Sequence, residues 1–145
     1  MKALVIRVNK ANVKVKERVI ASIGKGIVIF LGLEKEDTSN TIIEMAEKIV
    51  NLRIFENEEN KLTYSIKDID ESILCIPNFT LCANIDKGRR PSFERAMSKE
   101  EAKKYFENFI MVLKSKGVNV EKGEFGEHMD IILEIDGPVN IILGE

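Results

Sequence analysis

Gly26-Ile27-Val28-Ile29-Phe30-Leu31-Gly32-Leu33 is the stretch on which the reading of the fold turns. From Ile27 onward the run is apolar without interruption and rich in β-branched residues. It is short, and Gly24-Lys25-Gly26 marks a corner in front of it. A run of this kind suits a strand buried on both faces. Upstream, Ala3–Val8 and Ala11–Val15 read as two further strands, the second with Val13 and Val15 alternating against Asn12 and Lys14. Lys16-Glu17-Arg18 is a polar turn, and Val19–Ile23 follows. Four strands joined by short turns predict an antiparallel meander.

Downstream, Asp37-Thr38-Ser39 offers capping oxygens to a helix over residues 39–52, whose Ile42, Ile43, Ala46, Ile49 and Val50 recur at helical spacing. Residues 57–60 form a charged loop, and Ser72–Ile76 is a strand stopped by Pro77. Ser98-Lys99-Glu100-Glu101 has the form of a capping box. The helix it opens carries Ala102, Tyr105, Phe106, Phe109, Ile110 and Leu113 on its apolar face, and Gly117 closes it. Met129–Ile135 and Val139–Leu143 read as two last strands separated by Asp136-Gly137-Pro138. These elements predict one α/β domain over residues 1–145, mainly antiparallel and barrel-like, with two principal helices.

The chain has 145 residues, 32% charged and 44% hydrophobic. That balance excludes a disordered or low-complexity chain and leaves enough apolar surface for a core without staples. The apolar run Ala3–Ile6 is broken by Arg7 and is too short for a signal peptide or a membrane span, so a cytoplasmic protein is expected. Cys75 and Cys82 form neither a disulfide framework nor a zinc pattern. Neither metal nor cofactor is expected. Net charge is −2, yet residues 87–104 alone carry +4, through Lys87, Arg89, Arg90 and neighbouring bases. A small basic region on an acidic body suits limited phosphate contact, or is simply a solvated face.

Side-chain catalysis finds little support. His128 is the only histidine and stands in a Gly126-Glu127-His128 turn. Cys75 lies in an apolar strand, and no phosphate loop, HExxH or dinucleotide fingerprint is present. Two segments stand out. Pro77-Asn78-Phe79-Thr80-Leu81-Cys82-Ala83-Asn84 gathers amide, aromatic and hydroxyl groups where a strand ends, which makes a pocket wall or a mere transition to loop. Asp136-Gly137-Pro138 is either an ordinary hairpin turn or a place where backbone approaches a ligand closely.

In these residues the chain resembles the D-aminoacyl-tRNA deacylase family over essentially its full length. The resemblance is carried by Ala3-Leu4-Val5-Ile6-Arg7-Val8, Phe79-Thr80-Leu81 and Arg90-Pro91-Ser92-Phe93. Gly123-Glu124-Phe125-Gly126, Met129 and Asp136-Gly137-Pro138-Val139 complete it. Pro77-Asn78 stands where the family usually has Ser-Gln, and Ile135 where it usually has Asn.

The resemblance implies a homodimer with sites at the subunit interface, acting on the ester that joins a D-amino acid or glycine to the 3′-terminal adenosine of tRNA. Neither a membrane nor DNA is expected as a partner. Asn78, Phe79 and Thr80 would position substrate and supply a backbone oxyanion hole. Gly137-Pro138, a Gly-cisPro dipeptide in the family, would read chirality across the interface. Leu81, Cys82, Ala83, Phe125 and Met129 would line the pocket, and Lys87, Arg89 and Arg90 would bind tRNA. Two other classes of function compete: a non-catalytic tRNA- or RNA-binding module, and a small-molecule esterase using Thr80 or Cys82 as nucleophile.

Overall fold

Alternate side chains of the first strand, β1 (Lys2–Val15), feed two different cores. Ala3 and Val5 face one, and Ile6 and Val8 the other. Beyond Asn9-Lys10 the alternation slips by one residue, so that Ala11 and Val13 stay in the second core. The expected pair of strands is therefore one. A β-bulge absorbs the slip without ending the ladder. The computed structural model describes residues 1–144.

β2 (Arg18–Ile23) and β3 (Gly26–Gly32) do not continue a meander. Both pair antiparallel with β1, β3 along Lys2–Val8 and β2 along Ala11–Val15, and they share no ladder with each other. Beyond β3 the sheet turns parallel. β6 (Ser72–Pro77) pairs parallel with β3, and β7 (Asn119–Lys122) parallel with β6. The sheet is thus mixed but remains mainly antiparallel, three of its five ladders being so among the described residues, and it is ordered β2-β1-β3-β6-β7 with β8 (Asp130–Leu143) on the remaining edge of β1. Parallel neighbours need long crossovers. The two long helices, α1 (Ser39–Val50) and α3 (Lys99–Ser115), lie within them. β2 returns against β6 and β7, so the sheet is nearly closed.

The first core lies between sheet and helices, with Val5, Ile29, Ile49, Phe106, Phe109 and Leu113 at its centre. The second fills the curl of the sheet with Ile6, Val8, Val13, Ile23, Val28 and Leu74. β3 serves both, and Ile27, Val28, Ile29 and Leu31 are all buried, as its unbroken apolar run requires. Between α1 and β6 the chain adds a small hairpin, β4 (Phe55–Glu56) with β5 (Leu62–Tyr64), and a single helical turn, α2 (Ile66–Ile69), capped by Ser65 and Asp68. At α3 the Ser98 hydroxyl accepts from the Glu101 N–H. Glu101, however, takes the Ser98 hydroxyl proton rather than reaching back to its backbone. Among the described residues no helix is long and apolar enough to cross a membrane.

The last two expected strands are also one. Between the pairs Ile6–Asn140 and Val8–Ile135, β1 spends only Arg7 while β8 spends Asp136, Gly137, Pro138 and Val139. This wide bulge throws Gly137-Pro138 outward, and both residues are exposed. Arg7, only 4% exposed, lies beneath it. Its guanidinium donates to the carbonyls of Asp136 (3.2 Å) and Ile54 (2.7 Å) and to the Glu56 carboxylate (3.4 Å). It also pairs with the Asp136 carboxylate at 3.2 Å. Removing one partner of such a buried set leaves the others without donors. Arg7→Met is expected to lower stability by about 1–3 kcal/mol. The check is a lower urea midpoint with an unchanged denaturant slope.

Candidate functional site

The parallel strands β3 and β6 end side by side, and the chain turns sharply after each. Pro77 has no N–H to give. The ladder nevertheless runs one step further, because the Asn78 N–H donates to the Leu31 carbonyl at 2.8 Å. A 3-10 turn over Phe79–Cys82 follows, and Asn78 caps it. The Asn78 side-chain oxygen accepts the Thr80 N–H at 3.2 Å and also the Thr80 hydroxyl. Leu81 N–H donates to the Asn78 carbonyl (3.4 Å) and Ala83 N–H to that of Thr80 (3.2 Å). The N–H of Phe79, first in the turn, donates to nothing among the described residues.

Above this turn opens a cavity of about 500 Å³. Leu31, Leu33, Pro77 and Met97 form much of its apolar lining, with Asn78 and Phe79 on the turn side. Phe125, Gly126, Glu127, His128 and Met129 come from the segment between β7 and β8, and Lys99 from the start of α3. Phe125 leans on Phe106 of the helix-side core, and Met129 packs on the other core. The cavity therefore sits at the seam between the two hydrophobic layers. Leu33 and Met97 are tied together by a backbone bond of 2.9 Å, and Glu34 beside them accepts from the Met1 ammonium at 2.8 Å.

Four of the residues picked from sequence, Asn78, Phe79, Phe125 and Met129, meet in this cavity. Thr80, Leu81, Cys82 and Ala83 do not line it. Thr80 is exposed on the turn, and Cys82 points inward, its thiol 3.5 Å from the Leu33 carbonyl. Gly137 and Pro138 are also outside the cavity of their own chain; their peptide bond is cis. Lys87, Arg89 and Arg90 are exposed on a loop whose ends, Asn84 and Ser92, exchange backbone bonds of 2.8 and 2.9 Å. That loop leads to Phe93, which meets the half-exposed ring of Phe79 edge-on at 5.0 Å.

Sequence reasoning overlooked the part played by Arg7, although its signal was visible: a charge at a buried phase of an apolar strand. Lys99 counts in the sequence only as one base of the 87–104 run; its place at the cavity is set by the fold, which brings the start of α3 against the segment after β7.

The chemistry open to this arrangement is narrow. No serine, threonine or cysteine lines the cavity. The Thr80 hydroxyl gives its hydrogen to an amide oxygen, which cannot act as a base. Burial pushes the Cys75 thiol far up and the Cys82 thiol up as well, the latter helped by the nearby Glu34 carboxylate. What remains is a largely apolar cleft with the unengaged Phe79 N–H among the backbone donors that line it, the elements of orientation and oxyanion stabilisation. Among the described residues no cluster of three acidic, histidine or cysteine side chains could hold a metal.

Residues 4–144 match the protein family described as D-Tyr-tRNA(Tyr) deacylase. Proteins named D-aminoacyl-tRNA deacylase from Thermodesulfovibrio yellowstonii and Aquifex aeolicus are 48% and 47% identical over 143 residues. Each alignment spans 99% of this chain, and 98% and 97% of the respective relative. A solved structure titled c-Myc DNA Unwinding Element Binding Protein superposes with a TM-score of 0.94 at 38% identity, covering 100% of this chain and 99% of the other. A second, of a probable eukaryotic D-amino acid tRNA deacylase, shares the fold alone, with a TM-score of 0.84 at 15% identity over 98% and 97% of the two chains.

Thiol reagents test the burial of both cysteines. Iodoacetamide at neutral pH is expected to leave Cys75 and Cys82 unmodified in the folded protein and to alkylate both in urea, as read by intact mass. Rapid labelling of folded Cys82 would restore a thiol nucleophile to consideration.

Proposed function

Because the chain belongs to the D-Tyr-tRNA(Tyr) deacylase family, we propose that it hydrolyses the ester between a D-amino acid and the 3′-terminal adenosine of tRNA. The products are free D-amino acid and reusable tRNA, and glycyl-tRNA is also a substrate. The observation that carries the reading is the division of the site. A cleft lined by no serine, threonine or cysteine lies on one part of the chain, and the outward bulge at Gly137-Pro138 lies outside it.

A second copy of the chain joins the two halves. β8 pairs with β1 only, so its outer edge is open among the described residues. Along the same strand Ile132, Ile135 and Ile142 are exposed, Ile142 by 79%. Open strand edges with apolar side chains favour association, and like surfaces meet in a two-fold dimer. In that dimer Gly137-Pro138 of one protomer enters the partner's cavity.

An aminoacyl ester is already activated, so placement and charge stabilisation carry the reaction. The Phe79 N–H is aimed at the developing oxyanion, where one donor is worth about 2.7–4 kcal/mol. The ribose hydroxyl next to the ester helps a water attack. Asn78 and Thr80 position the turn that presents Phe79. Main-chain carbonyls of the Gly137-Pro138 bulge hold the substrate ammonium, and the surrounding backbone leaves no room for the Cβ of an L-residue. Glycine has no Cβ and passes. Lys87, Arg89 and Arg90 meet the tRNA backbone.

The deciding experiment offers D-tyrosyl-, L-tyrosyl- and glycyl-tRNA side by side. Release from the D- and glycyl forms with the L-form spared is expected. Intact D-tyrosyl-tRNA would overturn the reading and leave an RNA-binding module. Turnover of a simple ester without tRNA would favour an esterase instead.

Two variants probe the roles within this reading. Thr80→Ala is expected to retain activity within about tenfold, the scale of one neutral hydrogen bond, and acid quenching of the wild type is expected to trap no covalent intermediate. In Gly137→Ala the new Cβ would fall 2.7 Å from the Val139 nitrogen, at a residue whose φ is +136°. The bulge must shift, and the ratio of D- to L-tyrosyl-tRNA turnover is expected to fall at least about tenfold, the equivalent of about 1.4 kcal/mol in the barrier.

A further inference from the structure

Of the side chains that line the cavity, Lys99 is the only lysine or arginine. It is exposed, and it makes no ion pair and no side-chain hydrogen bond among the described residues, although Glu127 stands on the same rim. Helix stability does not explain its position. Lys99 is the first residue of α3, where an ammonium opposes the positive end of the helix dipole, and Glu100 and Glu101 supply the favourable charge there.

The loop across from it lies against the end of the side chain. Gly126 has φ +81°, and a Cβ at that position would lie 2.9 Å from the Lys99 Cε and 3.1 Å from its Nζ. The missing side chain is the space through which the lysine stem runs. The ammonium lies beside Gly126 in the lining of the cavity. The rest of the lining is largely apolar and suits the uncharged parts of a nucleoside ester. On such a ligand the first fixed negative charge outside the cavity is the phosphodiester on the 5′ side of the terminal nucleoside. On the turn side, Phe79 meets Phe93, which follows the exposed loop that carries Lys87, Arg89 and Arg90.

We propose that Lys99, guided over Gly126, binds the phosphodiester immediately 5′ of the terminal nucleoside. This proposal rests on the reading of the cavity as the seat of an aminoacylated RNA end. A lysine serves such a contact as a point charge, and its effect is screened by salt.

The test compares wild type, Lys99→Ala and Lys99→Arg on two substrates, D-tyrosyl-tRNA and D-tyrosyl-adenosine, an ester with no phosphate. Lys99→Ala is expected to raise KM for the tRNA at least about tenfold and to lower the preference for tRNA over the phosphate-free ester by the same factor, the scale of one charge-assisted hydrogen bond. Its dependence of log KM on log salt is expected to flatten by about 0.7, as for one lost contact on a single strand. Lys99→Arg should restore both. An unchanged preference in Lys99→Ala overturns the proposal, as does an equal loss on both substrates, which would make Lys99 part of the cavity wall. Wild type hydrolysing neither substrate overturns the family-based reading and this proposal with it.

Discussion

One buried guanidinium, that of Arg7, underlies the outward bulge of β8. Arg7 interrupts an apolar strand at a phase where its neighbours are packed against the helices, and it must find acceptors there or lose the hydration of a full charge. It finds them in the carbonyls of Ile54 and Asp136 and in two carboxylates. The Asp136 bonds come from the strand alongside, where β8 departs from regular pairing for four residues. The outward bulge at Gly137-Pro138 and the hairpin that follows Ile54 are thus tied to the same side chain. A regular ladder would have turned Gly137-Pro138 into two more rungs.

The cavity arises from a second constraint, the meeting of two hydrophobic layers at the end of the parallel strands. β3 is buried on both faces, so where it stops, both cores stop together, and the turn after β6 closes over the gap. The wall is built largely of backbone and apolar side chains, and the Phe79 N–H is left without a partner in it. Asn78 illustrates the economy of the turn. Its shorter stem, compared with the glutamine usual in the resembled family, brings the amide oxygen onto its own turn, where it caps Thr80. In the proposed reading its contribution is to hold Phe79 in place. The reaction that such a wall supports is one whose substrate brings its own reactivity.

Local periodicity and capping chemistry were enough to locate both long helices, the doubly buried strand and the segments Pro77–Asn84 and Asp136–Pro138 as the unusual ones. Those signals lie within a few residues of each other, and short-range physics governs them: 3.6-residue spacing in α1 and α3, a serine or threonine before each, and Pro or Gly where ordinary ladder bonding fails. The same short range explains the errors. Asn9-Lys10 and Asp136-Gly137-Pro138 look like strand ends, because a polar or glycine-proline break is locally identical whether the chain turns or bulges. The partner strand decides between the two, and it is more than a hundred residues away. The mixed sheet has the same origin, since parallel pairing is chosen by where the helical crossovers can pack.

The amino-acid sequence alone therefore determined which segments are helical and which strand is central. Those properties depend on residue type and near-neighbour spacing. Tertiary structure alone decided that Arg7 underlies the bulge, that Lys99 crosses Gly126, that Thr80 turns its hydroxyl to an amide, and that Gly137-Pro138 stands apart from the cavity of its own chain. Each of these is set by contacts distant in sequence or by the direction of a side chain, and pattern along a chain carries neither.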